Sequence, residues 1–405
     1  MLGLILAISA FIVWITGKPG KTPPGKPEEL ARLAGCMPGD CREGNHITTY
    51  TGFFPMMEGL EQSIKSARHH IHFQFFKFED DPSGNRIATL LALKAAEGVE
   101  VRVLYDDAAN LTRKGFYRRL AKSGVQVMPY GRMYLPLIRK KDNYRNHRKV
   151  VVVDGRTGFV GGMNIAERYG LGLRWGCWRD THIRIEGPAA SQLQLAFLTD
   201  WLYASSQLLA DPVYFPAVPG CGSSKVEILT SGPIGEGPVI MQRLSHLLDS
   251  AKEYAYLQSP YFIPTRQIMH AMCNAAERGV DVRLIIPYRG DHGVLTPWAS
   301  KSYIEEAQDS GVKIAFYRIG YMHSKTWVVD DRWTTVGSTN IDVRSYLLDE
   351  EANAFIDDPA YARKMKDIFM EDESFSEYID PQEWKLRSGL ERLKQGFARL
   401  FSSQL

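Results

Sequence analysis

The sequence predicts an α/β fold built as two pseudo-symmetric domains, each a central mixed sheet flanked by helices, with a hydrophobic anchor ahead of them. Three observations predict it. Strand-like and helix-like segments alternate through most of the chain, as α/β units require. The two halves repeat one programme of segments. Leu2 to Thr16, LGLILAISAFIVWIT, is uncharged and almost wholly apolar.

That apolar run comes first. A helix crossing about 30 Å of hydrocarbon needs around 20 apolar residues, so the run sits at the short limit for a span. A signal peptide is the rival reading. No Lys or Arg precedes the run and no small-x-small site closes it, which favours a retained anchor over residues 1–17. Lys18, Lys21 and Lys26 follow, and by the positive-inside tendency they place the remaining chain in the cytoplasm. Residues 18–44 are a linker, proline- and glycine-rich at its start.

The first domain is expected over 45–210 and the second over 225–372, with a proline- and glycine-containing inter-domain loop at 211–224. Ser66-Ala67-Arg68 precedes an apolar strand from His70, and Ser250-Ala251-Lys252 precedes its equivalent from Tyr254. Gly98-Val99-Glu100-Val101 and Gly279-Val280-Asp281-Val282 each read as a glycine-ended helix running into a buried strand. Ser123-Gly124-Val125 and Ser310-Gly311-Val312 repeat the next such junction. A solenoid is excluded because its period is about 20 to 50 residues and these units are far longer.

The remaining residues, 373–405, form a basic amphipathic tail. Leu386, Leu390, Leu393, Phe397 and Leu400 recur at spacings of four and three among Lys385, Arg387, Arg392, Lys394 and Arg399. Core docking, a dimer contact and membrane binding are all open to such a helix.

Composition narrows the class. With 49 Lys+Arg against 46 Asp+Glu the net charge is +3 over 405 residues, too weak to imply a nucleic-acid partner, and none is expected. Five scattered cysteines, Cys36, Cys41, Cys177, Cys221 and Cys273, argue against a disulfide framework. Local charge is less even. Arg132 to Lys149 holds seven basic residues and one acid interleaved with apolar ones, a segment able to lie on an anionic membrane surface.

The chemistry-bearing motif is His-x-Lys-x4-Asp, present twice: HRKVVVVD at 147–154 and HSKTWVVD at 323–330. His147, Lys149, Asp154 and Asn164 match His323, Lys325, Asp330 and Asn340, each pair 323 − 147 = 176 residues apart. Side chains alternate along a strand, so His and Lys at i and i+2 point the same way. Two copies in register are a far stronger signal than one histidine near a strand.

With these residues the chain resembles the phospholipase D superfamily, and within it the bacterial cardiolipin synthases. The resemblance runs over roughly 45–400 and includes NYRNHRKVVVVDGRTGFVGGMNI (143–165), WRDTHIRIEGPA (178–189), QSPYFIP (258–264) and HSKTWVVDDRWTTVGSTNIDVRS (323–345). It implies two phospholipase D-like domains and a phosphatidyl transfer from one phosphatidylglycerol to another, without cofactor or metal, at a bacterial inner membrane. A hydrolytic phospholipase D or nuclease would share every catalytic residue, and a catalytically silent lipid-binding scaffold is the reading outside enzymes.

A phosphodiester anion repels nucleophiles, so a site must neutralise its oxygens while presenting a neutral imidazole in line with the leaving group. Lys149, Lys325, Asn164 and Asn340 would form that cradle. The resemblance implies His147 as nucleophile and His323 as acid and base, although the pseudo-symmetry leaves the two interchangeable by sequence. Asp180 and Glu351, 33 and 28 residues beyond the histidines of their own repeats, are the expected imidazole partners. The usual Asn-Phe-Glu stands here as Asp349-Glu350-Glu351, which admits Glu350 to the role. Asp154 and Asp330 are counted with the catalytic motif, although their odd offset, which would point them away from the histidine in an unbroken strand, favours a role as structural supports. Gly162, Ser338, Tyr261 and Arg145 are expected to contact substrate.

Other features read differently. His69, His70 and His72 suggest a metal cluster, yet only two share a strand face and the second repeat has no equivalent. Asp106 and Asp107 end a buried strand and could line the cleft as paired acids. The sequence is compatible with a homo-oligomer and does not fix one.

Overall fold

The computed structural model describes residues 27–35, 40–132, 143–290 and 293–405. The expected anchor at Leu2–Thr16, residues 18–26 and 36–39 of the linker, which include Cys36, and the central part of the basic segment from Arg132 lie outside these residues. Among the described residues no helix is long and apolar enough to cross a membrane.

The repeat appears as two copies of one strand order. In the first half the order from the outer edge is Gln126–Tyr130, Glu100–Asp106, His70–Phe75, Val150–Val153, Thr157–Gly161, His182–Glu186 and Arg42–Tyr50. The first three run parallel and the rest antiparallel, so the sheet is mixed. The second half repeats this as Lys313–Tyr317, Asp281–Pro287, Tyr254–Gln258, Thr326–Val329, Trp333–Gly337, Asp349–Asp357 and Ser224–Ser231, with Ser376–Tyr378 added at its edge. Two separate central sheets were expected. Instead Arg42–Tyr50 pairs antiparallel with Ser224–Ser231, joining the halves into one 16-stranded sheet.

Local sequence explains the repeated helices. Pro82–Ala96 starts at Asp81, whose side chain accepts from Gly84 N at 2.8 Å, with proline at its first turn where no N–H is needed. Its counterpart Arg266–Glu277 starts at Thr265 in the same way. The exits are at Gly98 (φ +88°) and Gly279 (φ +91°), left-handed positions that a side chain would strain.

The strands bearing the motif are buried on both faces. Val151 and Val153 pack into the first half's own core with Phe73 and Ile71, while Val150 and Val152 enter a cluster that continues through Val226, Ile228, Val328 and Ile356. Each such valine contributes about 1.5 to 3 kcal/mol by leaving water. The shared cluster ties the halves together beneath the seam, so the geometry between them is set by a packed core.

Candidate active site

Two short cross-half ladders deliver the histidines. Arg145–Asn146 pairs in parallel with Asp349–Glu350, and Gly320–Met322 with Cys177–Arg179. Each ladder leads one half's histidine alongside the other half's carboxylate strand, and the backbone closes the register: His147 N donates to Glu350 O at 2.9 Å and His323 N to Arg179 O at 2.7 Å.

The side chains follow. His147 Nδ1 lies 2.9 Å from Glu351 Oε1, and His323 Nδ1 lies 2.6 Å from Asp180 Oδ2. The carboxylates were read as serving the histidines of their own repeats. That pairing is corrected: each histidine is held by the opposite repeat. Glu350 is not a rival, because its carboxylate faces Arg148 (3.3 Å) and Tyr130 (3.2 Å).

Both lysines are buried beside the histidines. Lys149 Nζ donates to His147 O at 2.5 Å and stands over the Phe76 ring, and Lys325 Nζ lies 3.0 Å from His323 Nδ1. Asn164 turns its amide oxygen to Lys77 N (3.1 Å), which leaves the amide nitrogen as its donor. The buried amide oxygen of Asn340 has no hydrogen-bond partner among the described residues. Phe76 meets His147 edge-on with ring centres 4.9 Å apart, and Trp178 lies 4.9 Å from His323, so apolar walls flank both imidazoles.

Burial sets the protonation states. It drives His147 down to about 4, partly opposed by Glu351, so the imidazole is neutral near pH 7. Lys149 is brought to about 7 by burial, with Glu351 opposing and Lys325 adding repulsion. Burial pushes Glu351 up, but His147, Lys149 and the Ser338 hydroxyl outweigh it and the group ends below its ordinary value. Asp180 does the same through His323 and Lys325.

The residues expected to contact substrate have protein neighbours of their own. Ser338 is fully buried and donates to the Glu351 carboxylate. Gly162, its equivalent 176 residues earlier (338 − 162), faces Asp180 so closely that a Cβ there would meet Oδ1 at 2.1 Å. Both therefore support the carboxylates. Arg145 is buried against Asp106 (3.4 Å) and the Gly131 carbonyl (3.2 Å). Tyr261 lines a recess with Tyr288, Pro297 and Phe316. Asp106 caps the Ala109 and Asn146 N–H groups, each at 3.0 Å, instead of pairing with Asp107.

Asp154 and Asp330, grouped with the motif, touch neither histidine. At positive φ (54° and 53°) they end the motif strands, and each accepts three backbone N–H bonds: Arg68, His69 and His70 on Asp154, Lys252, Glu253 and Tyr254 on Asp330. His70 and His72 bridge through Gln194 (3.0 and 2.6 Å) in a buried stack with Phe197.

The sequence reading missed a second tier of residues. Asp200 binds Gln74 (2.6 Å) and Arg148 (2.6 Å), and Arg148 Nε reaches the Glu351 carbonyl at 3.0 Å. Its counterpart Asp372 binds Gln258 (2.7 Å) and Arg179 (2.8 Å), and Arg179 reaches the Asp180 carbonyl at 2.6 Å. Aligning FLTD at 197–200 with FMED at 369–372 reveals the aspartates as a repeated pair.

Comparison with known proteins agrees with this geometry. The family described as "Cardiolipin synthase, PLD-like domain" matches residues 60–201 and 244–373, one segment in each half of the sheet. The chain belongs to that family. Cardiolipin synthase of Listeria welshimeri is 38% identical over 364 residues, covering 89% of this chain and 75% of that one. Cardiolipin synthase of Staphylococcus aureus strain N315 is 39% identical over 366 residues, covering 88% and 73%. The fold is similar to phosphatidylserine synthase of Haemophilus influenzae Rd KW20, with TM-score 0.68 and 16% identity over 94% of this chain and all of that one.

Proposed function

We propose that the protein is a phosphatidyltransferase that makes cardiolipin and glycerol from two molecules of phosphatidylglycerol. The observation that carries the reading is the crossed pair of histidine–carboxylate contacts, with two lysines beside them, in a chain of the cardiolipin synthase family. With each Nδ1 engaged by a carboxylate, the chemistry falls to the Nε2 atoms.

Nε2 of neutral His147 attacks phosphorus, and the bond from phosphorus to the glycerol oxygen breaks. Protonated His323 gives its proton to that oxygen, and glycerol departs. His323, now neutral, takes the proton from the terminal hydroxyl of a second phosphatidylglycerol. The resulting oxygen nucleophile displaces His147 from phosphorus, which closes the cycle with His323 again protonated. Lys149, Lys325, Asn164 and Asn340 neutralise and orient the phosphoryl oxygens. Asp180 and Glu351 fix tautomers and stabilise the imidazolium on either ring. Reaction at the cytoplasmic face of a bacterial inner membrane, with residues 1–17 as anchor, completes the proposal.

The test is incubation of purified protein with phosphatidylglycerol in mixed micelles, followed by analysis of lipid products and released glycerol. Cardiolipin and glycerol in equal amounts are expected. Phosphatidic acid without cardiolipin would assign the site to hydrolysis, and absence of turnover would favour the scaffold reading.

A further inference from the structure

The helix Gly389–Arg399 is mounted with its apolar side outward. Its buried positions are Gln395 and Ala398. Leu390, Leu393 and Phe397 are 60%, 69% and 53% exposed, and Leu400 just beyond the helix is 66% exposed. At 100° per residue these four fall within an arc of about 80°, opposite Gln395. Charge and one small contact hold the other side down. Arg399 pairs with Glu306 at 2.6 Å, Arg387 with Glu305 at 2.7 Å and Lys385 with Asp309 at 2.7 Å, while Ala398 enters the second-half core. The neighbouring helix Leu295–Lys301 packs alongside, and Val294 and Leu295 at its start are also exposed.

The chain beyond the stripe reaches the segment that carries His147. Gln404 accepts from Asn143, four residues before His147, and Asn143 also receives Arg344. Two leucines in equivalent positions, Leu171 and Leu347 (347 − 171 = 176), are exposed on the segments that follow Asn164 and Asn340.

We infer that this stripe docks on the surface of a bilayer containing anionic phospholipid. The inference deepens the reading above, since it rests on the substrate being a bilayer lipid. A second copy of the chain is the competing occupant for an exposed apolar face. Of the five basic side chains in 385–400, Lys385, Arg387 and Arg399 are engaged in the ion pairs above, which leaves Arg392 and Lys394, with one acid, Glu391, beside the stripe. A twofold contact through the stripe would bring Arg392 and Lys394 of one copy toward those of the other, whereas an anionic lipid surface complements these two cations. Arg392 and Lys394 flank the stripe at the level where headgroups would lie, and the leucines and Phe397 reach the acyl boundary.

Two measurements on the full chain test this. In the first, Leu393→Trp is mixed with phosphatidylglycerol vesicles containing brominated lipid. Relative to the parent chain, the added tryptophan emission is expected to shift blue and to be quenched, whether or not turnover occurs. An emission unchanged by vesicles would overturn the inference, as would a blue shift that depends on protein concentration without vesicles, the mark of a second copy. In the second, Leu390→Ser/Leu393→Ser/Phe397→Ser is assayed on long-chain phosphatidylglycerol in vesicles and on a short-chain, monomeric phosphatidylglycerol. At least a tenfold fall on vesicles with monomer turnover within twofold is expected; equal rates on vesicles would overturn docking. Loss of transfer in both proteins on both substrates would count against the phosphatidyltransferase reading and leave the fluorescence result standing.

Discussion

Asp180, carried by the first repeat, lies 2.6 Å from Nδ1 of His323, carried by the second, and Glu351 returns the relationship to His147 at 2.9 Å. Each half therefore contributes the histidine of one pair and the carboxylate of the other. Neither repeat holds a complete pair.

The crossing has a spectroscopic signature. A low-field Nδ1 proton resonance is expected for each histidine–carboxylate pair, and Asp180→Asn should remove the one that His323→Gln also removes. Loss of the His147 resonance instead would refute the crossed assignment. In the transfer assay, Asp180→Asn and Glu351→Gln should each lower kcat by about 10² to 10⁴, the scale seen when a carboxylate no longer orients a catalytic imidazole.

Asp154 and Asp330 should behave differently from the histidines. Asp154→Ala strips acceptors from three N–H groups at a left-handed turn, so a stability loss of about 2 kcal/mol or more is expected. Denaturant titration measures it. Turnover per folded molecule should stay within about tenfold, whereas His147→Ala and His323→Ala should abolish turnover.

Lysine titration should shape the pH profile. Lys149 at about 7 is charged below that pH and loses its proton as pH rises through it, while His147 at about 4 is neutral across the same range. The expected kcat/KM therefore falls on the alkaline side of about pH 7. A bound phosphodiester anion stabilises the ammonium, so the matching limb in kcat should lie at higher pH. A flat kcat/KM between pH 6 and 9 would contradict this assignment.

Asp349 provides a stability test outside the chemistry. Burial raises its carboxyl to about 8, partly opposed by Arg344. Between about pH 4 and 8 the unfolded chain ionises this group while the folded chain keeps it protonated, so its contribution to stability declines across that window. Asp349→Asn removes the decline. The variant should gain on the order of a few kcal/mol over the parent at pH 8 and little at pH 4, read from unfolding curves at both.

Much of the design was legible in the chain because duplication doubles every signal. Glycines 98, 124, 279 and 311 marked helix exits, and all four take the left-handed φ (+88°, +92°, +91° and +95°) that a reversal into a strand requires. His147, Lys149, His323 and Lys325 were found by their common offset. That offset could not show which carboxylate meets which histidine. Partnering is decided by the two ladders at the seam, where Arg145–Asn146 and Gly320–Met322 each leave their own half. The contacts of Ser338 with Glu351 and of Gly162 with Asp180 were hidden for the same reason: a small residue near a motif can stand against a carboxylate of either half, and only packing shows which. The sequence alone determined the repeat, the doubled His-x-Lys-x4-Asp motif and the amphipathic tail, because these depend on residue type and spacing. The tertiary structure decided the joined sheet, the exchange of carboxylates and the outward face of the tail, because each depends on contacts between residues far apart in the chain, which local periodicity does not encode.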